Sequence, residues 1–389
     1  MFKRKTILIG MLTATFAVGT FGSSASAQNA TIDASTLGAA LALPWETDPN
    51  TASKLTIATV TNGLVNDPLT LHVTVLDEFC GATNFDCPLT PSETTSFVFS
   101  YDTVRGTSRV QAECSRLGVI GPDPGQTNDV VNKTLSANRG VMFVSVECQK
   151  GSTNLGACPG GTNGLRTKGI NALLGDATIA DFGQGFAYSV NAIHIQAGSD
   201  RNNGDRLYKF DGREYKSFPS ALATNFVSPS DTGIAANLAL FTLDFKANDP
   251  QPIWFALDGD AYDEDENPTS GGEVYDCYAN NSIEDIFGYN VLREESGSLV
   301  GHLELLVSDV GGQVDANETS AKTGDANGNR VRPVHGWLVQ FITDGAEGHP
   351  NVPPFFGSGA WARTLVQGTH ALVPSGADVP ALNAGPPVL

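Results

Sequence analysis

The stretch Leu69–Asp77 reads LTLHVTVLD, so that Leu69, Leu71, Val73 and Val75 fall on one side of an extended chain and Thr70, His72 and Thr74 on the other. A two-residue period fits a strand, whose side chains alternate between faces, and no helix gathers it on one stripe. The style recurs along the chain: Lys54–Thr61, Thr95–Val104, Ser108–Cys114, Gly185–Gln196, Asn237–Phe245, Pro252–Leu257, Leu299–Ser308 and Val334–Thr343 are short apolar or β-branched runs separated by Gly, Asn, Asp and Pro. Such runs, spaced about eight to twelve residues apart, predict an all-β chain of antiparallel sandwich or jelly-roll type with few short helices. His72 is expected on an exposed strand face. Gly140–Cys148 (GVMFVSVEC) is apolar on both faces and is expected to be a central strand.

Exceptions to the strand pattern are few. Ile170–Phe182 is read as a short helix, and Glu78–Ser92 as a loop holding the first two cysteines. Ser282, with Asp285 three residues on and Ile286 and Phe287 following, has the spacing of a helix N-cap. The segment Gly151–Gly164 (GSTNLGACPGGTNG) breaks regular structure throughout and suggests a boundary between an N-terminal β domain, residues 28–165, and a C-terminal β domain, residues 166–374. Residues 375–389 combine proline with little apolar surface and are expected to form a disordered tail.

The first residues, MFKRKTILIGMLTATFAVGTFGSSASAQ, place Lys3, Arg4 and Lys5 before an apolar run that ends in the small residues Ala25 and Ala27. This is the pattern of a secretory signal, residues 1–27, cleaved after Ala27. The expected location is therefore extracellular, at the cell surface or in a periplasm, with no transmembrane segment after cleavage. All six cysteines, Cys80, Cys87, Cys114, Cys148, Cys158 and Cys277, follow the leader, and an even number in an exported chain reads as disulfides. Spacing favours the local pairs Cys80–Cys87 and Cys148–Cys158, which leaves Cys114 for Cys277. Zinc ligation is disfavoured because no CxxC pair occurs.

Charge excludes one class of partner. The chain carries a formal −19, which becomes −22 once Lys3, Arg4 and Lys5 leave with the signal. Every approach to phosphate is then repulsive, and neither nucleic acid nor an anionic bilayer is an expected partner. Within Asp200–Phe218 the cations Arg201, Arg206, Lys209, Arg213 and Lys216 alternate with Asp205, Asp211 and Glu214, the pattern of a solvated hairpin.

The sharpest chemical signal is Asp258–Asn267, DGDAYDEDEN, with six carboxylates in ten residues. Unpaired charges of one sign cannot be buried together, so this is a solvated acidic loop or a cage for a hard cation. The ligands read from it for calcium are Asp258, Asp260, Asp263, Asp265 and Asn267. Position five is Tyr262 and position six is Asp263, a departure from the helix–loop–helix calcium spacing. A second segment, Asp325–Asn329, matches the first half of that spacing and then fails at Arg330 and Gly336.

Enzyme signatures are missing: there is no GxSxG, HExxH, GxxxxGK[ST] or strand-borne GxGxxG. His302 and Glu304 share one face of a strand, the order expected of an ordinary outer face. Trp45, Trp254 and Trp337 lie in apolar surroundings and read as core, whereas Trp361, in GSGAWAR, is a candidate platform for stacking on sugar rings. The function expected is structural or binding, of adhesion, matrix or filament type, with a glycan, a protein or a second copy as partner and calcium as a stabiliser. The rival readings are a secreted carbohydrate-active hydrolase and an outer-membrane β-barrel.

Overall fold

A computed structural model of the chain describes residues 36–66, 68–114, 129–147, 170–183, 185–197, 215–216, 218, 221–227, 234–243, 255–275, 277–288, 300–309, 323–324, 330–331, 334–342 and 360–367. The segments read as a secretory signal (residues 1–27) and a tail (residues 375–389), together with Gly151–Gly164, Asp325–Asn329, Trp254 and the cysteines at 148 and 158, lie outside the described residues.

The chain begins with β1 (Ala40–Glu46), β2 (Lys54–Asn62), β3 (Leu69–Asp77), β4 (Ala82–Leu89), β5 (Thr94–Asp102), β6 (Thr107–Cys114), β7 (Asp129–Leu135) and β8 (Arg139–Glu147). Then come β9 (Leu173–Asp181), β10 (Phe186–Asn191) and β11 (Ile193–Ile195). These strands form two antiparallel sheets, β10-β9-β2-β5-β6-β7 and β11-β1-β8-β3-β4, called here the first and second. The residues read as a helix at 170–182 instead supply β9, because their alternation lets β9 bond to β2 on one side and β10 on the other. Likewise β4 replaces the expected loop and pairs along its length with β3. The first sheet thus continues to Asn191 and the second to Ile195, downstream of the division at 165/166 that the glycine-rich segment suggests.

The second half contributes β12 (Ala221–Val227), β13 (Ile234–Thr242), β14 (Phe255–Tyr262), β15 (Pro268–Tyr275), β16 (Tyr278–Ser282), helix α1 (Ile283–Phe287), β17 (Val300–Asp309), β18 (Thr323–Gly324), β19 (Arg330–Val331), β20 (Val334–Ile342), β21 (Ala360–Thr364) and β22 (Val366–Gln367). The third sheet is β15-β14-β17-β12-β22, the fourth β16-β13-β20-β21, and β18 pairs with β19 alone. Helix α1 starts where the sequence places its cap: the Ser282 hydroxyl accepts from the Asp285 N–H at 3.0 Å. Gly288, at φ 95°, ends it in a conformation that a side chain would strain.

Packing follows from register. On β1, β8 and β3 one set of residues, including Leu41, Leu43, Trp45, Met142, Val144, Leu71, Val73 and Val75, faces the first sheet. Trp45 stacks on Phe99 of β5 at 5.2 Å and donates its indole N–H to the Leu76 carbonyl at 3.1 Å. Gly140 lies directly across from Trp45, and a Cβ there would meet the Leu76 carbonyl at 2.0 Å. The close passage of β8 past β3 therefore requires glycine.

The opposite face of the second sheet is covered as well, and β1 and β3 are buried along their whole lengths. Tyr278, Phe241, Ala239, Trp337 and Val339 of the fourth sheet belong to the same apolar cluster as the first two sheets, and β16 packs on β8. The fourth sheet turns its other face, Leu238, Leu240 and Leu338, to Leu222, Phe226, Leu303 and Leu305 of the third. The result is layered β-sheet with two apolar clusters, the larger of which runs across both halves and holds Trp45 and Trp337 fully buried, as their surroundings predict.

Pro44 sits inside β1 without breaking it. A proline has no N–H to give to a ladder, and β11 covers β1 only at Ala40, Leu41 and Ala42, so β1 is an edge where Pro44 stands.

The cysteines depart from the expected pairing. Cys80 bonds Cys277, and Cys87 bonds Cys114. Cys87 is the cross-strand partner of Leu71, which turns its side chain toward the first sheet and the end of β6. Cys80 lies in the β3–β4 turn, against the second half of the chain. Sequence spacing favoured the shortest loops, but the layers bring distant strands closer than neighbours along the chain.

Candidate functional site

The acidic stretch is divided between a strand and a turn. Alternation carries β14 through Asp258, Gly259 and Asp260, so the anticipated loop is shorter than the acidic run. Asp258 pairs in register with Gly272 and Leu306, and Asp260 with Ser270 and Glu304. Asp260 accepts from the Ser270 hydroxyl at 2.6 Å and, more weakly, from the Tyr262 hydroxyl at 3.4 Å. Partial burial, with the neighbouring Asp260 and Glu304, raises the pKa of the Tyr262 phenol.

Asp263 has a different task. Its carboxylate accepts from the Asp265 N–H at 2.9 Å, from the Asn267 N–H at 2.8 Å and from the Asn267 side-chain amide at 2.9 Å. This closes the β14–β15 hairpin and lets Glu266 adopt φ 64°. Donors from the turn thus occupy both Asp263 oxygens, while Asp265 is exposed at the tip. Among the described residues no group of three or more His, Cys, Asp or Glu side chains is disposed to hold a metal.

On β17, His302 and Glu304 share the outer face of the third sheet, as their spacing predicts. The His302 ring approaches Glu304 at 3.5 Å through Nε2 and Asn225 at 2.8 Å through Nδ1. Trp361 takes its place in β21 opposite Gln340.

A second polar site has no counterpart in the sequence reading. It is a cleft of about 400 Å³ where the two halves meet, lined by Glu46, Lys54, Glu78, Asn138, Arg139, Asn237 and Asn280 among others. Strand ends build it. Glu46 closes β1 directly across from Arg139, which opens β8, and Lys54 opens β2 across from Asp181. Glu78 follows β3, and β13 and β16 bring Asn237 and Asn280 from the other side.

Its charges are paired. Glu46, almost fully buried, accepts from Lys54 at 3.1 Å, from the Tyr278 hydroxyl at 3.4 Å and from the Asn280 amide. Arg139 donates through Nε to Glu78 at 2.5 Å. Burial alone lowers the Lys54 pKa, but Glu46, Asp181 and Asp48 outweigh it and hold the ammonium above its ordinary value. Arg139 is raised in the same way, with Glu78 overcoming the cost of burial. Burial first, then Glu46, pushes the Tyr278 phenol well up, so it stays a neutral donor.

Hydrogen-bonding capacity is left over. The Asn280 Oδ1 atom is buried without a partner among the described residues. Asn138 uses its Oδ1 on Ser108 and its backbone carbonyl on Thr47. The cleft escapes sequence reading because its residues come from separate strand ends with no common spacing.

No protein-family model matches the chain, and no curated protein and no solved structure matches it either.

Proposed function

We propose that the chain is exported and works outside the cytoplasm as a structural or binding protein of adhesion, matrix or filament type. The observation that supports this best is the Cys80–Cys277 bond, which ties the first sheet pair to the second across 197 residues. Such bonds persist in oxidising compartments. The tie gives a layered β protein the rigidity that a surface scaffold needs. Among the described residues no helix is long and apolar enough to cross a membrane.

Calcium at the acidic hairpin is part of the proposal. With Asp263 engaged by its turn, ligation there falls to Asp260 on β14, Asp265 at the tip and their neighbours. The closeness of Asp260 and Glu304, like charges on adjacent strands, gives a cation something to neutralise.

The test is to express the full chain in a secreting host, sequence its N-terminus and map its disulfides without reduction. A start at Gln28, with Cys80 joined to Cys277, is expected, together with self-association or surface adhesion of the purified protein. Free thiols at Cys80 and Cys277, release of reducing ends from polysaccharides, or partition into detergent would each overturn the reading.

A further inference from the structure

We infer that the cleft between the two halves is a binding site for one or two neutral sugar residues of an extracellular glycan. This rests on the binding role proposed above and gives it a ligand class. The volume, about 400 Å³, falls within the range of small-molecule sites, roughly 300–1,000 Å³. Unlike most such sites it is lined by charged and amide groups, so an apolar ligand gains little there.

The balance of charge narrows the class further. Lys54 answers Glu46, with Asp181 behind it at 3.9 Å, and Arg139 answers Glu78, so both cations lining the cleft are already paired. An ionic ligand would have to displace one of these pairs. What the cleft offers is unspent hydrogen bonding. Arg139 commits only Nε to Glu78, which leaves its two terminal amino groups without protein partners among the described residues. Asn138 commits Oδ1 to Ser108 and leaves its amide N–H groups. Asn280 commits its amide to Glu46 and leaves Oδ1 buried and unanswered.

An unmet buried acceptor is costly until a donor reaches it. A hydroxyl group both donates and accepts. Neighbouring hydroxyls on a sugar ring can therefore meet the donors of Asn138 and Arg139 together, and the amide oxygen of Asn280 once that side chain turns toward the cleft. The walls are held in advance of binding, since Glu78 lies just before Cys80 and Asn280 just after Cys277, the two ends of one disulfide. A site fixed before its ligand arrives loses less entropy on binding.

Saturation-transfer NMR on the purified full chain tests this, with glucose, galactose, mannose, N-acetylglucosamine and their disaccharides as probes and glucuronic acid as the anionic control. At least one neutral sugar is expected to bind and glucuronic acid to bind more weakly. Arg139→Met and Asn280→Leu should each weaken binding about tenfold, the loss of one good polar contact. Asn237→Ala, at the cleft rim, should weaken binding while leaving the melting curve unchanged, so that a loss of ligand is not mistaken for a loss of fold. Binding of glucuronic acid alone, or neutral-sugar binding that survives all three substitutions, would overturn the inference. No binding by a chain that still self-associates or adheres would overturn it and leave the structural role standing. Release of reducing ends would overturn both.

Discussion

β3 and β17 are written in nearly the same code and meet different fates. β3 sets Leu71 and Val73 on one side and Thr70, His72 and Thr74 on the other; β17 sets Leu303 and Leu305 against His302 and Glu304. Both patterns read as one face in the core and one in water. On β17 that holds at His302, whose side chain is 44% exposed, and in part at Glu304, whose side chain is 14% exposed. On β3 the polar side is buried too: His72 is 8% exposed and Thr74 3%. Two of these buried side chains find partners across the strand pair, His72 with Asp86 at 2.7 Å and Thr74 with Asn84 at 2.7 Å, while the Thr70 hydroxyl has none among the described residues. Alternation therefore reports which residues share a face. Whether a face is covered depends on layers supplied from far along the chain.

Four measurements press on this contrast. The largest effect should come from the bond that holds the covering layer in place. Replacing Cys80 and Cys277 by serine together should cost about 5 kcal/mol of unfolding free energy by the chain-entropy relation, against about 3.5 for Cys87 and Cys114, because the loops are 197 and 27 residues long. Denaturant melts of the two double variants would show it, and equal losses would mean that the second half does not depend on this tie.

Next is Phe143, fully buried on the covered face of β8 and paired across to Thr74. Phe143→Ala should cost about 3–5 kcal/mol. A loss below about 0.5 kcal/mol, the range of surface substitutions, would return that face to water and dissolve the contrast.

The third effect is a pH dependence. His335, on β20, is wholly buried, accepts from the Gly336 N–H at 2.9 Å through Nδ1, and stands edge-on to Phe218. Burial pushes its pKa from 6.5 down to about 4. The folded state then resists a proton that the unfolded state takes up. The stability this confers is full above pH 6.5 and is lost as the pH falls toward 4, by an amount on the order of 3 kcal/mol. Melts across that window should slope accordingly, and His335→Gln should flatten the slope. If His335 titrates near its ordinary value, its layer is wetter than the packing implies.

The smallest effect is on the open face of the third sheet. Glu304→Gln relieves repulsion against Asp260 and should change stability by at most about 0.5 kcal/mol, less at high salt. The same melts in EDTA and then calcium test the cation: a rise in melting temperature that Asp260→Ala abolishes supports ligation, and an unmoved curve removes it.

Much of the architecture was legible in local pattern. The central, doubly apolar β8 and the cap at Ser282 follow from the residues themselves, as does the burial of Trp45 and Trp337. Most of what local pattern missed has one cause. The true cysteine partners, the cover over His72 and the polar cleft all arise where segments far apart in sequence are stacked, and no spacing records such a meeting. The helix read at 170–182 failed differently, because a segment of mixed period was drawn into a strand by neighbours on both sides. In the acidic run, composition marked the carboxylates, but only the hairpin distinguishes Asp263, which closes the turn, from Asp260, which stands on the sheet.

The Cys80–Cys277 bond also has a mechanical consequence. A pull on the two ends of the chain passes through the bond and bypasses the 197-residue stretch it encloses, together with the Cys87–Cys114 bond inside. At about 3.3–3.6 Å per extended residue, some 650–700 Å of contour is kept out of reach of the load. Of the described strands, tension then reaches β1 to β3 on one side of the bond and those from β16 onward on the other, until the sulfur bridge is reduced.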